Sequence, residues 1–173
     1  MKKPKNNMNV LLISEKTLKQ DSLINDNVDT MYIIPAIQTA QEQALQLLIG
    51  SMLYRTILNK VANNQVDNDY KQLIDNYITP FLEYKVMSDI QIPISYKMRN
   101  LGLNQTTDER TITPSLRDTQ YIIEYYDNKA KFYSDRLYEY LCANCSKFPE
   151  FRKKETCNDL PANKMSYKTN IVL

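Results

Sequence analysis

Glycine occupies only two of 173 positions, Gly50 and Gly102, where average usage of about 7% would place roughly twelve. A chain this poor in glycine has few sites for positive-φ turns and few loops in which backbone can cradle a phosphate. It is therefore expected to consist of helices joined by Asn- and Asp-rich turns. Histidine is absent, which removes the side chain best suited to proton transfer near neutral pH and the commonest metal ligand. Hydrophobic residues at 43% and charged residues at 24% are ordinary for a globular chain able to bury a core.

The hydrophobic periodicity is helical almost throughout. Residues 1–9 read as a polar arm, Val10 to Ile13 as a short extended segment, and Ser14 as the cap of a short helix over Glu15 to Gln20. After the turn cluster Asn25-Asp26-Asn27, a helix from Met31 to Ile49 carries Ile33, Ile34, Ile37, Ala40, Ala44, Leu47 and Leu48 at three- and four-residue steps, opposite a polar face of Gln38, Gln41, Glu42 and Gln46, with Pro35 in its first turn and Gly50 at its end. Ser51 to Val61 forms the next helix, and Asn63-Asn64-Gln65 the next turn. Tyr70 to Ile78 predicts a short helix, which Thr79-Pro80 separates from a longer one over Phe81 to Met98. That longer helix is apolar on nearly all sides and must be covered on nearly all sides, in part by a neighbouring subunit; Pro93 should kink or end it. Leu101 to Ile112 is too long and polar for a tight turn and predicts a projecting loop or small hairpin. Thr113-Pro114-Ser115 opens the last helix with Pro114 at its first position; its stripe is Ile122, Tyr126, Ala130, Tyr133, Leu137 and Leu141, and Pro149 stops it. The expected fold is all-α: a single compact bundle of five to six helices over residues 1–151, one projecting polar loop, and a flexible C-terminal tail over residues 152–173.

Little in this pattern carries chemistry. Cys142 and Cys145 share a helix face near its C-terminus, where the dipole does not activate a thiol, and with Cys157 they fall short of the four ligands of a structural zinc site. They read as packing residues. The acidic residues Asp118, Glu124, Asp127, Asp135 and Glu139 alternate with Lys129, Lys131 and Arg136, and Asp127 with Lys131 is a favourable i,i+4 pair on a solvated face. No Walker lysine, dinucleotide glycine pattern or nucleophile elbow is present. No catalytic, cofactor-binding or metal-binding residue is assigned. Six tyrosines (Tyr121, Tyr125, Tyr126, Tyr133, Tyr138, Tyr140) crowd the last helix, more than one core stripe can hold, and fit either core edging or a subunit interface. A net charge of +2 and a pI near 8.3 are too mild for a dedicated DNA binder, and no apolar run approaches the length of a membrane span. The chain is expected in the cytosol when made. Two segments remain as partner-binding candidates: Asn104, Gln105, Thr106, Thr107 and Arg110 in the polar loop, and Tyr167 with Ile171, Val172 and Leu173 at the end of the tail, where an apolar tip suits strand addition or pocket insertion.

The ending Tyr140-Leu141, Asn144, Phe148-Pro149-Glu150-Phe151 resembles a family of small helical head–tail connectors of tailed bacteriophages, those of crAss-like phages of Bacteroidales in particular. Ile13-Ser14-Glu15-Lys16-Thr17-Leu18, Ile49-Gly50-Ser51-Met52-Leu53-Tyr54, Tyr70-Lys71-Gln72-Leu73-Ile74-Asp75, Ile78-Thr79-Pro80-Phe81 and Arg99-Asn100-Leu101-Gly102-Leu103 extend the similarity over Ile13 to Phe151. The resemblance implies a structural virion protein without turnover, made in the host cytoplasm and placed at the head–tail junction. It implies a homo-oligomeric ring, usually a dodecamer, under the portal protein, which prolongs the DNA channel and offers the next tail or ring protein a platform. DNA is then passing cargo, and no cofactor or membrane is involved. A monomeric helical DNA-binding or regulatory phage protein is the alternative.

Overall fold

A computed structural model of the chain describes residues 10–21, 28–99, 102–105 and 115–152. The fold is all-α. Helix α1 spans Glu15–Asp21; α2 (Thr30–Thr39), a π turn (Ala40–Leu45) and α3 (Gln46–Ile49) form one continuous rod; α4 spans Ser51–Ala62. A second rod comprises α5 (Asn68–Leu73), a π turn (Ile74–Ile78) and α6 (Thr79–Asp89), followed by α7 (Gln91–Ser95), a hairpin of β1 (Tyr96–Arg99) and β2 (Gly102–Gln105), and the long α8 (Leu116–Ala143). A 3-10 turn at Pro149–Arg152 closes the described chain.

Local chemistry accounts for the ends of these elements. Ser14 Oγ accepts from the Thr17 N–H at 3.0 Å and starts α1. Gly50 adopts φ 81°, a conformation that only glycine holds without strain, and so turns the chain between α3 and α4. Asn64, with φ 53°, does the same after α4. Ser115 and Asp118 form a reciprocal capping box at the start of α8, so the cap is Ser115 itself and the helix opens at Leu116, two residues beyond Pro114.

Several sequence expectations need correction, four of them at prolines. Asp29 caps α2 by accepting from the Met31 N–H at 3.1 Å, so the helix starts at Thr30 and Pro35 falls in its second turn, on an exposed side. Thr79-Pro80 does not separate two helices. The Thr79 N–H bonds the Ile74 carbonyl, and this widened turn takes up the break that proline makes in the normal ladder. The expected helix from Phe81 to Met98 ends at Asp89, because Ile90 bends the chain; Pro93 then sits in the first turn of α7, where an N–H has no intrahelical partner to lose. Met98 lies in β1. Nor does Pro149 end the last helix: Asn144 does, donating its side-chain amide to the Tyr140 carbonyl at 3.0 Å, and Pro149 opens the following 3-10 turn.

Helix α6 is the centre of the bundle. Phe81, Leu82, Val86 and Ile90 have no exposed surface and Met87 has 4%, with α8 on one side of the helix and α2 with its π turn on another. From Phe81 to Ile90 the chain therefore supplies this cover itself, while Ile92, expected on the same helix, is exposed. Helices α6 and α8 run antiparallel, as shown by Tyr77 stacked on Tyr140 at 4.0 Å, Tyr84 on Tyr133 at 5.1 Å, and Lys85 bonded to Asp127 at 3.3 Å. The cross-helix partner of Asp127 is thus Lys85, where Lys131 on its own helix was expected. The i,i+4 spacing shows which charges can meet along one helix, but α6 brings a cation from outside it.

Candidate assembly surfaces

The antiparallel pairing gives the molecule two poles. Helix α8 has 28 residues and is about 42 Å long at 1.5 Å per residue. Helix α7 packs beside α8 and leads into the hairpin, so the hairpin leaves near the Leu116 end. In its register Lys97 faces Asn104 and Tyr96 faces Gln105. Of the loop candidates, Asn104 and Gln105 are therefore strand residues at this pole, while Thr106, Thr107 and Arg110 lie outside the described residues. Exposed Leu116 and Ile92 stand at the same end.

The opposite pole is where the chain departs toward its C-terminus. After Asn144 the backbone folds back, and Phe148 (0% exposed) and Phe151 (4%) enter the core. The Phe148 ring meets Tyr70 edge-on at 5.2 Å, and Phe151 meets Tyr138 at 5.7 Å. Polar contacts surround this plug: Tyr70 donates its hydroxyl to Glu150 at 3.0 Å, Lys147 pairs with Asp69 at 2.8 Å, and Lys60 pairs with Asp67 at 3.0 Å while its ammonium lies 4.4 Å over the Tyr70 ring. Burial, then the Glu150 carboxylate, push the Tyr70 hydroxyl far above the ordinary phenol range, so it remains a donor at any ordinary pH. Tyr167, Ile171, Val172 and Leu173 lie outside the described residues. The hairpin strands and the last described residues of the C-terminal segment lie at opposite ends of α8.

The amino-terminal segment is also anchored, by a residue that the sequence reading left on a polar face. Gln41 is 3% exposed. Its Oε1 accepts from the Leu12 N–H at 2.7 Å and its Nε2 donates to the Val10 carbonyl at 3.1 Å, so one amide satisfies two backbone groups of an irregular segment that bends at Leu12 and Ile13. Gln41→Leu should leave both backbone groups without a partner and cost about 1–3 kcal/mol. Hydrogen exchange at the Leu12 amide should accelerate well beyond that of amides in α6. An unchanged Leu12 rate would show that the amide does not hold the segment.

The described surface also carries an aromatic face. On α8 the buried residues Thr119, Tyr126, Ala130, Ser134, Leu137 and Leu141 occupy one side. Tyr121 (74% exposed), Tyr125 (51%) and Phe132 (63%) lie on the opposite side. With exposed Asn128 they repeat at steps of four, three and four residues, the spacing of a seam for another helix. The Lys129 ammonium lies 5.4 Å from the Tyr125 ring centroid and 5.8 Å from that of Tyr84. The excess of tyrosine was visible in the sequence, and the same spacing would have added Phe132, because the seam is offset by half a turn from the core stripe.

Groups that could support chemistry stay apart. Among the described residues no cluster of three or more His, Cys, Asp or Glu side chains could hold a metal ion. Cys142 is half-buried and Cys145 is exposed beyond the helix end; Cys157 lies outside the described residues. Among the described residues, no helix is long and apolar enough to cross a membrane.

Residues 45–160 match the profile of a family of unknown function, DUF6712. That span exceeds half of the 173 residues. The chain belongs to this family. The match takes in α3 to α8, the hairpin and the Phe148–Phe151 plug, and begins at Leu45, the last residue of the first π turn. No curated protein matches the chain. No solved structure matches it either.

Proposed function

We propose that this member of DUF6712 is a structural virion protein, a head–tail connector that forms a ring beneath the portal of a tailed phage. The observation that carries the reading is the separation of the two poles: a rigid helical body about 42 Å long sends a hairpin from one end and an anchored C-terminal segment from the other. A body with different attachment elements at its two ends suits a part that joins one protein above to another below. The portal and the next tail or ring protein are the proposed partners, with further copies of the chain beside it, usually to a total of twelve in connectors of this type. DNA passes through the ring as cargo. The protein acts without turnover, at the head–tail junction of the virion and before that in the host cytoplasm.

The polar groups at the hairpin pole suit backbone-mediated contact, and the apolar tip Ile171-Val172-Leu173 suits insertion into a partner. Each insertion is weak once ordering is included, and repetition around a ring makes the sum strong. Truncation after Arg152 keeps the plug and should give a folded protein that no longer joins portal or tail in virions carrying it. Imaging of wild-type particles with a label on this chain should place it at the head–tail junction. A label elsewhere, or free protein whose DNA affinity falls steeply with salt, would replace this reading with that of a regulatory DNA binder.

A further inference from the structure

A second outward face lies on the α2–π turn–α3 rod. Met31 (63% exposed) and Leu47 (42%) end a line of exposed residues that runs through Pro35, Thr39 and Gln43, each four residues after the last. On an unbroken α-helix a four-residue repeat drifts about 40° per step and would wind into the core within a few turns. The π turn at Ala40–Leu45 takes up an extra residue in mid-rod and offsets much of that drift. The five positions therefore remain exposed along the rod's length. It is also almost free of charge, because Glu42 is the only ionisable acid or base between Thr30 and Ile49 other than Tyr32. Surface helices are ordinarily rich in charge, and interface cores are depleted of it.

We propose that this face packs against the outward aromatic face of α8 on a second copy of the chain. The reading rests on the proposed association of copies and names the surfaces that meet. Helix α6 packs on both α8 and the α2 rod, and α3 also touches α8, so the two outward faces lie on different sides of the bundle, and a contact between unlike faces propagates from copy to copy and forms a ring when the rotation between copies closes. The three exposed rings offer roughly 300–450 Å² at 150–250 Å² for a whole aromatic side chain. That is about half of the ~800 Å² that each partner buries in a standard interface, and an adequate centre for one. The chemistry is complementary. Thioether, proline and leucine meet aromatic rings, and Glu42 on one face has a cation to meet in Lys129, beside Tyr125 on the other.

The full chain tests this by sedimentation velocity over a range of concentrations. Phe132→Asp should block the α8 face and Leu47→Asp the rod face. Both positions are exposed, so the circular dichroism and melting of each variant should match wild type while its association weakens at least about tenfold. An equimolar mixture of the two variants should form heterodimers and nothing larger, because each retains one sound face. Glu42→Lys and Lys129→Glu should each weaken association, and the double reversal should recover most of it. Wild type that stays monomeric at millimolar concentration overturns the proposal, as does assembly that ignores both variants. An isologous α8–α8 dimer, in which Leu47→Asp has no effect, overturns it as well. Assembly through other faces with the label still at the head–tail junction would remove this contact and leave the connector reading intact. Assembly through these faces with the label elsewhere would do the reverse.

Discussion

Phe148→Ala should lower the stability of the folded chain by about 3–5 kcal/mol, the usual cost of emptying a fully buried phenylalanine site. The ring has no exposed surface and lies 5.2 Å from Tyr70 and 6.1 Å from Tyr140, so its removal leaves a cavity bordered by two rings held on different helices. Since domains have only about 5–15 kcal/mol in total, urea unfolding should show a large fall in midpoint with little change in slope. Phe148→Leu should recover most of the loss, because it keeps apolar volume. The variant should also expose the chain after Asn144 to proteolysis while α8 remains helical. A loss below about 1 kcal/mol for the alanine variant would mean that the Phe148–Phe151 turn only rests on the body and does not anchor it.

Lys85→Met should cost about 2–3 kcal/mol at neutral pH. Lys85 bridges two carboxylates, Asp89 at 2.7 Å and Asp127 at 3.3 Å, with side-chain exposures of 14%, 27% and 31%. Removing the cation from a fully buried pair costs about 3–5 kcal/mol, and the remaining exposure reduces that here through solvent screening. Burial holds the Asp89 carboxyl above the usual carboxylate range, with Lys85 pulling it down and Asp127 pushing it further up. A carboxyl raised in the folded state binds its proton more readily there than when unfolded, so its contribution to stability is largest in acid and is lost as pH rises through the folded pKa. Without Lys85 this pKa rises further. The gap between variant and wild type should therefore narrow as the solution is made more acidic and Asp89 becomes neutral. Urea midpoints of both proteins in neutral and in acidic buffer measure it. An equal gap at both would show that the loss is one of packing. The capping carboxyl of Asp118 acts in the opposite sense. Hydrogen bonds from Ser115 hold it below the usual range, so its support of α8 is present above that range and lost in acid.

The sequence by itself determined the class of fold and nearly all of the helical segments. Scarce glycine and a period of three to four residues leave few alternatives, and signals that act within one turn were readable where they stood: Gly50 as a helix end, Asn64 as a turn residue, Ser14 as a cap. The core stripe of α8 was also legible, because periodicity is a property of the chain alone. Proline was misread for the opposite reason. Its effect depends on whether neighbouring packing permits a π turn or a bend nearby, and at Pro80 and Pro93 tertiary context provided one.

Only the tertiary structure decided which partners meet. Gln41 looked like part of a solvated face until Val10 and Leu12 were brought to its amide across 31 and 29 residues. Asp127 looked paired within its helix until Lys85 arrived from α6. Whether Phe148 and Phe151 plug a core or continue a tail could not be told from spacing, because Tyr70, which receives the first of them, is far away in sequence. The poles have the same origin. That the hairpin and the C-terminal segment leave opposite ends of α8 follows from the antiparallel packing of α6 on α8. That packing depends on contacts between residues far apart in sequence, which hydrophobic periodicity, a record of one helix at a time, does not contain.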